Sequence, residues 1–443
     1  MRRLLYIAAA LSCLLLVSCK ADSSTAPASP AASETQTEAA ETETTPRSDE
    51  TETTETKYPR YSSDDGVSYY EINCPDVPAA EAGAAVTRLE LPSEINGKMV
   101  QIDGFLDEET LIVQLADNPG KSSEIGTIPL KNGKAGEYQQ LLELKPEQSA
   151  NLLSERWVFI SEPSETIDPF SNMTSIDYRM YDLQKKKLLQ PFYTAKSSHG
   201  CFLPASGFSH SPLLVGDMLY FDDVVREDGE YNGTIYGYDT ARGKIIETYP
   251  ECQQPLFYQG QLIGRTKNEA GCDQRLISLK DNGKSFRKDF SNLTNAIASP
   301  ESLFAVIEAE RNPVFDDDPD QGYLPVSKLL DLTSGQEIFT TIPFTPEDNA
   351  ISVSDRLAGW SLNSPMRVAL YDIREQRLIS FDKVVRSVDD PNYFDDNNYY
   401  RYANEYVSGN TSLILLGNSV TANQEALLVK IPSKLDVQET TVP

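Results

Sequence analysis

Short apolar runs alternate with polar turns along most of the chain. From about Val67 onward, aromatic and β-branched residues occur in runs that Gly, Asn, Asp and Ser interrupt at short intervals, and long stretches of helical periodicity are missing. Alternation on this scale is typical of β-strands joined by tight turns. The pattern therefore predicts an all-β domain built from many short strands.

One hairpin pattern, an apolar strand, a polar turn and a second apolar strand, recurs along the chain. Its seven turns lie at residues 107–109, 154–156, 216–217, 259–261, 299–301, 354–356 and 408–410. Successive turns are roughly 40 to 60 residues apart, which is the usual length of a four-stranded propeller blade. The repeat thus predicts seven blades.

A second pattern falls between these turns and predicts the outer two strands of a blade. Tyr181-Asp182, Tyr238-Asp239 and Tyr371-Asp372 each lead to an apolar run at the same offset, and Leu330-Asp331 is a looser copy. An aspartate at this position accepts hydrogen bonds from the N–H groups of the turn that follows. Weaker versions of the pattern occur at residues 128–130 and 277–279.

Ring closure is predicted at the last repeat, because residues 405–431 supply only about three strands. The alternating residues 85–91 can supply the fourth, so that both ends of the domain meet in one blade and leave fewer exposed sheet edges. We predict a seven-bladed β-propeller over residues 58–432 and a polar tail over residues 433–443. Six or eight blades, or a pair of β-sandwiches, are the alternatives.

The repeats resemble bacterial propellers of the YVTN, WD-repeat and quinoprotein-like type, whose blades carry a Tyr-Asp or similar turn. The resemblance covers residues 85–432. The sequence has no Trp-Asp dipeptide and no visible quinone-binding motif, so the resemblance implies neither a cofactor nor an active site. Residues 281–286 also resemble the end of the Asp-box of sialidase-type propellers, although Leu279 replaces its serine, and they predict a structural turn.

The N-terminal residues resemble the signal peptide of bacterial lipoproteins. Arg2 and Arg3 precede the apolar residues 4–17, and Leu16-Val17-Ser18-Cys19 resembles a lipobox. The apolar run is too short to span a bilayer, which takes about 20 residues. The resemblance implies removal of residues 1–18, lipidation of Cys19 and an extracytoplasmic protein anchored to the cell envelope. An ordinary secretory signal and an uncleaved membrane anchor are the alternatives.

The composition after Cys19 predicts a tether. Residues 21–57 contain no Val, Leu, Ile, Met or aromatic residue, and such a segment cannot bury enough apolar surface to fold. Residues 19–57 are therefore predicted to be a disordered linker rich in Ser, Thr, Glu and Ala. The net charge of −28 disfavours nucleic acid as a partner. The predicted partners are the membrane, through the lipid, and a protein or glycan ligand.

The cysteines that follow Cys19 predict two disulfides. They are Cys74, Cys201, Cys252 and Cys272, and an even number in an exported protein permits complete pairing. Cys252 and Cys272 are close in sequence and are predicted to pair within one hairpin. This choice leaves Cys74 to pair with Cys201.

Neither a metal site nor a cofactor site is predicted. His199, Cys201 and His210 fall in one segment but fit no standard zinc spacing. Asp316, Asp318 and Asp320 stand at alternate positions before Gly322, yet the glycine and the final glutamate of a calcium loop are not where that loop needs them. Glycoside hydrolysis requires only two suitably placed carboxylates, so a glycosidase stays open.

Tyr393, Phe394, Tyr399 and Tyr400 are the candidate ligand-binding residues. Acidic and amide side chains are interleaved with them in residues 391–406, and aromatic faces beside such groups stack on sugars or hold basic groups. Packing over the outer blade at the ring closure is the alternative role.

We therefore predict a lipid-anchored, non-catalytic binding or scaffold module that presents loops on one face of the ring. A propeller-type glycoside hydrolase is the second hypothesis. A solute-binding lipoprotein, which would alternate helices with parallel strands, is the third.

Overall fold

The computed structural model describes residues 60–62, 69–118, 121–167, 174–195, 211–227, 230–267, 274–309, 326–342, 351–360, 366–385, 399–400, 402–418 and 423–432. All of them belong to one compact unit, Thr56–Pro443, and the second unit, Met1–Glu55, lies outside the described residues. Strands and turns make up the described part, which contains no helix. Accordingly, no helix in this part is long and apolar enough to cross a membrane.

Four strands precede the first blade. They are β1 (Arg60–Ser62), β2 (Tyr69–Ile72), β3 (Asp76–Pro78) and β4 (Ala85–Leu89). Blade 1 consists of β5 (Glu94–Ile95), β6 (Lys98–Asp107), β7 (Thr110–Asn118), β8 (Lys121–Lys131), β9 (Lys134–Ala135) and β10 (Gln139–Glu143). Blade 2 consists of β11 (Ser149–Leu152), β12 (Trp157–Ile167), β13 (Thr174–Asp182), β14 (Lys187–Leu188) and β15 (Tyr193–Ala195).

The middle blades are the most regular. Blade 3 consists of β16 (Leu213–Val215), β17 (Met218–Glu227), β18 (Glu230–Asp239) and β19 (Lys244–Pro250). Blade 4 consists of β20 (Gln253–Tyr258), β21 (Gln261–Lys267), β22 (Gln274–Ser278) and β23 (Arg287–Phe290). Blade 5 consists of β24 (Leu293–Ala298), β25 (Leu303–Ala309), β26 (Val326–Asp331) and β27 (Gln336–Ile342).

The last two blades complete the ring. Blade 6 consists of β28 (Ile351–Val353), β29 (Leu357–Trp360), β30 (Met366–Asp372), β31 (Arg377–Val385) and β32 (Tyr399–Tyr400). Blade 7 consists of β33 (Tyr402–Ser408), β34 (Thr411–Asn418) and β35 (Asn423–Lys430), with β4 as its fourth strand. The protein is thus a seven-bladed β-propeller, as predicted, and it has neither six nor eight blades nor a sandwich architecture.

The strand order gives the ring two different faces. Among the four main strands of a blade, which in blade 1 are β6, β7, β8 and β10, the first and second, and the third and fourth, are joined at one face, which we call the lower face. Connections from second to third strands, and connections between blades, lie at the opposite, upper face. All seven predicted hairpin turns, and the turns after the Tyr-Asp and Leu-Asp pairs, are present at the lower face.

Six apolar clusters fill the seams between neighbouring blades. Five of them join blades 1 and 2, 2 and 3, 3 and 4, 4 and 5, and 7 and 1. The sixth and largest joins blades 5, 6 and 7, and it contains the fully buried side chains of Trp360, Tyr371 and Phe339. Burying one large apolar side chain contributes about 1.5–3 kcal/mol, so the seams hold the ring together.

The N-terminal strands follow the outside of three successive blades. We call residues 69–89 the strap. Its strand β2 pairs with β27 of blade 5, β3 pairs in parallel with β31 of blade 6, and β4 pairs with β35 of blade 7. The predicted closure by β4 is confirmed, with Ala85 opposite Lys430 and Leu89 opposite Ala426. The pairing of β2 with blade 5 and the pairing of β3 with blade 6 were not predicted.

Buried aspartates brace the lower face. Asp182 and Asp372 each end the third strand of a blade and accept a backbone N–H from the following turn. Each also accepts an arginine from the first hairpin turn of the same blade, with Arg156 Nη2 at 3.1 Å from Asp182 and Arg356 Nη2 at 2.8 Å from Asp372. One carboxylate therefore ties both turns of a blade together.

The turn at Asp281 has the hydrogen bonds of a structural turn. Its carboxylate accepts the backbone N–H groups of Lys284 at 3.2 Å and Ser285 at 2.9 Å, and the hydroxyl of Ser278 donates to it. These hydrogen bonds, first among them the one from Ser278, lower the pKa of Asp281. Ser278 thus provides the serine hydroxyl of this turn, although Leu279 stands at the position of the Asp-box serine.

Candidate functional site

The longest connections of the ring all leave the upper face. They are residues 196–212 between β15 and β16, residues 310–325 between β25 and β26, and residues 386–401 between β31 and β33, which include β32. Because strands alternate in direction within a blade, the flanking strand ends meet at this one face. The His199–His210 segment, the aspartates of residues 316–320 and the aromatic residues of 393–400 each belong to one of these three connections.

Most of the predicted site residues lie outside the described part of the chain. This holds for Cys19, Cys201, Cys272, Tyr393 and Phe394. Backbone is described for Tyr399 and Tyr400, which form β32 and pair in parallel with Val384 and Val385 at the upper end of β31. Their role in ligand binding stays a prediction.

Cys74 and Cys252 are buried free thiols in the structure. Burial raises the pKa of Cys74 to about 12 and that of Cys252 to about 11. The Cys74 thiol lies 3.8 Å from the carbonyl oxygen of Ile338 in β27. Since Cys201 and Cys272 are not among the described residues, the two disulfides stay predictions.

Polar side chains also lie in the seams, beside the apolar clusters. Between blades 1 and 2, Gln114 Nε2 donates to Asp103 Oδ2 at 3.0 Å and to the carbonyl oxygen of Ala150 at 3.2 Å. Asp103 keeps access to solvent, yet the surrounding protein desolvates its carboxylate and raises its pKa. An accessible acid with a raised pKa is a feature of binding and catalytic sites.

The seams on the two sides of blade 2 each contain a carboxylate, Glu162 of blade 2 on one side and Asp223 of blade 3 on the other. Arg179 Nε forms an ion pair with Glu162 Oε1 at 2.5 Å, and Gln148 Nε2 donates to Glu162 Oε2 at 2.5 Å. At the junction with blade 3, the hydroxyl of Tyr193 donates to Asp223 Oδ2 at 2.5 Å. Burial, followed by the charge of Asp223, raises the pKa of Tyr193, so this phenol remains a donor.

A continuous hydrogen-bonded chain joins blades 3, 4 and 5. Asp222 Oδ2 accepts the backbone N–H of Gln254 at 2.7 Å, and Gln254 Nε2 donates to Asn295 Oδ1 at 2.7 Å. Arg265 Nη1 donates to the carbonyl oxygen of Thr294 at 2.9 Å. Desolvation lowers the pKa of Arg265 to about 10. These polar groups connect blades to one another.

These seam residues were not predicted as site residues, although three of them could have been recognised from the repeat. Gln114, Asp222 and Arg265 each stand fourth in the apolar run that follows the first hairpin turn of their blade. A polar residue at a position that is apolar in the other repeats is such a signal.

The seam carboxylates do not converge on one space. Asp222 and Asp223 are successive residues of β17, so their side chains leave opposite faces of the sheet. Asp222 reaches blade 4 and Asp223 reaches blade 2. In the described part of the chain, no group of three or more His, Cys, Asp or Glu side chains is arranged to hold a metal ion.

A pocket of about 300 Å³ opens at the lower face, where blade 7 meets blade 1 and the strap. Glu108 and Lys430 supply its charged groups, and Thr411 donates its hydroxyl to Glu108 Oε2 at 3.3 Å. None of the residues that the sequence marks for ligand binding lines this pocket.

No protein-family model matches the chain, and no curated protein matches its sequence. Among solved structures, the β-propeller domain of the trilobed protease from Pyrococcus furiosus is similar at 10% identity and a TM-score of 0.42, over 77% of this chain and 98% of that one. TolB from Acinetobacter baumannii is similar at 13% identity and a TM-score of 0.30, over 80% of this chain and 82% of that one.

An acylaminoacyl peptidase from Pyrococcus horikoshii is similar at 12% identity and a TM-score of 0.32, over 52% of this chain and 39% of that one. The assignment of seven blades rests on the strand pairing of the present chain.

Proposed function

We propose that the protein is a lipid-anchored, extracytoplasmic propeller that acts as a non-catalytic binding or scaffold module for a protein or glycan partner. The proposal rests on the hydrogen bonds that the polar seam residues form between blades. Asp222, Asp223 and Arg265 each form a hydrogen bond to a neighbouring blade, so these polar groups make the ring a rigid platform for its upper-face connections.

The upper face is the proposed binding face. Its long connections carry Tyr393, Phe394, Tyr399 and Tyr400, which stay the proposed ligand contacts, and the seams beneath them hold the flanking strands in place. Aromatic side chains lose little conformational entropy when they bind a partner.

A glycoside hydrolase is the less favoured function. Hydrolysis needs two carboxylates that face one substrate at about 5–9.5 Å from each other. The adjacent Asp222 and Asp223 diverge, and Glu162 is held by Arg179 and Gln148. The described residues also lack the helices that a solute-binding lipoprotein would alternate with parallel strands.

The anchor is tested by replacing Cys19 with alanine in cells that are fed a labelled fatty acid. The wild-type protein is expected to carry the label and to partition with membranes, because the thioether forms on the Cys19 sulfur. The Cys19→Ala variant is expected to lose essentially all of the label. Equal labelling of the two proteins would contradict the anchor.

Binding is tested with the full chain in detergent, probed against a glycan array and against proteins of its own envelope. The double variant Tyr399→Ala/Tyr400→Ala is expected to bind the retained partner at least tenfold more weakly, since loss of two aromatic contacts costs about 1.4 kcal/mol or more. The control is Ile246→Ala, which alters an exposed side chain on the outer strand β19.

Equal binding by both variants would place the ligand elsewhere and contradict the proposed contacts. Steady turnover of glycoside substrates by the wild-type protein would favour the glycosidase over the binding module.

A further inference from the structure

The strap is held to the ring by main-chain pairing more than by side chains. The backbone N–H of Asn73 donates to the carbonyl of Ile338 at 2.9 Å, that of Leu378 to Pro75 at 2.8 Å, and that of Ala79 to Ser380 at 2.9 Å. These hydrogen bonds join the strap to the outer strands of blades 5 and 6.

Few strap side chains are buried. They are those of Ile72, Cys74, Ala82 and Leu89, and two of these four are small. Residues 85–88 of β4 are all exposed. By contrast, the ring strands next to the strap bury large side chains such as Phe339 and Phe381. Elements with few buried apolar contacts lie at the low end of local stability.

The three strap strands are short and closely linked. Residues 73–75 join β2 to β3, and residues 79–84 join β3 to β4 through a turn that bonds to itself, with the N–H of Ala84 donating to Ala79 at 2.9 Å. Each of these strands is short and depends on its partner strand in the ring. The links between them are only three and six residues long, so release of one strand also frees the end of the next.

We propose that the strap is a latch that opens as one unit at a lower free energy than unfolding of the ring. Opening exposes the outer edges of β27, β31 and β35, which are then free to pair with another strand. The chain reaches the strap from its N-terminal side, so tension on a tether acts first on this latch. That last consequence rests on the proposed anchoring, whereas the opening itself does not.

Two buried thiols make the latch measurable. Cys74 lies in the strap, and Cys252 lies in the seam between blades 3 and 4. Only the thiolate reacts with alkylating reagents, and burial keeps the pKa of both thiols high. Alkylation of Cys74 therefore reports opening of the strap, and alkylation of Cys252 reports opening of the ring.

The test uses the full chain with Cys201→Ser and Cys272→Ser, so that both thiols are free, and follows iodoacetamide labelling of each cysteine by peptide mass mapping. Leu89→Ala removes a strap anchor far from Cys74. It is expected to speed labelling of Cys74 at least tenfold and to change that of Cys252 less than twofold, because β4 and the Cys74 segment open together.

The matched control is Leu262→Ala, since both leucines are 3% exposed and Leu262 packs in the cluster that contains Cys252. It should speed labelling of Cys252 and leave that of Cys74 unchanged. An unchanged Cys74 rate in Leu89→Ala would show that the strap does not open as a unit. Equal acceleration of both thiols would show that it opens only with the ring, and Leu89→Val repeats the test should the alanine variant not fold.

Discussion

Replacing Asp372 with alanine is expected to lower the free energy of unfolding by about 3–5 kcal/mol, the loss that follows when one partner of a buried ion pair is removed. The Arg356 side chain is only 5% exposed, and Asp372 is its only acidic partner among the described residues. The variant leaves this guanidinium buried without a counter-charge. Urea unfolding of the wild type and the variant measures the difference.

Asp182→Ala is the matched control, because it removes the same brace from blade 2. There the Arg156 side chain is 38% exposed and lies over the ring of Trp157, so water can solvate it after the substitution. The expected loss is about 1–3 kcal/mol, chiefly from the unsatisfied turn. Equal losses of unfolding free energy in the two variants would show that burial of the arginine does not determine the size of the loss.

Replacing Glu405 with glutamine is expected to change how stability depends on pH. Glu405 is buried in β33 at the seam with blade 6, and its Oε2 accepts the backbone N–H of Trp360 at 3.1 Å. Its Oε1 has no hydrogen-bond partner among the described residues. Burial raises the pKa of Glu405 well above its usual value, and the hydrogen bonds from Trp360 and Ala369 offset only part of this rise.

A carboxyl group with a raised pKa binds its proton more tightly in the folded state than in the unfolded state. The wild-type protein should therefore lose stability as the pH rises from the unfolded pKa of about 4.5 toward the folded value, by up to about 1.4 kcal/mol per pH unit. Glu405→Gln removes this contribution, so its stability relative to the wild type should increase with pH.

Urea unfolding between pH 5 and pH 8 measures the effect, and Glu90→Gln, which alters an exposed residue, is the control. The same pH dependence in Glu405→Gln and in the wild type would contradict a raised pKa for the buried Glu405 carboxyl.

Local turn chemistry explains why so much of the ring could be predicted. The lower-face turns depend on residues close in sequence, as where Ser354 accepts the N–H groups of Arg356 and Leu357. Strand β4 was recognisable because its residues alternate. Strand β3 was not, because it is short, carries Pro78 and follows Pro75, and prolines argue against a strand unless it lies at a sheet edge.

The candidate site was harder to predict from the sequence than the ring. The polar character of Gln114, Asp222 and Arg265 is visible in the repeat, but the partner of each side chain lies in the next blade and depends on how the blades pack. The opposite directions of Asp222 and Asp223 follow from strand geometry only once β17 is known to extend through both residues.

The most direct test of the seven-bladed ring is a cross-link across its closure, since the latch and the seventh blade both depend on the pairing of β4 with β35. Ala85 and Lys430 are register partners in β4 and β35, and both are exposed. Ala85→Cys with Lys430→Cys is expected to form a disulfide on mild oxidation, detected by non-reducing peptide mapping, whereas Arg88→Cys with Lys430→Cys should not. Failure of the first pair to cross-link, or efficient cross-linking of the second, would contradict closure of the ring by the strap.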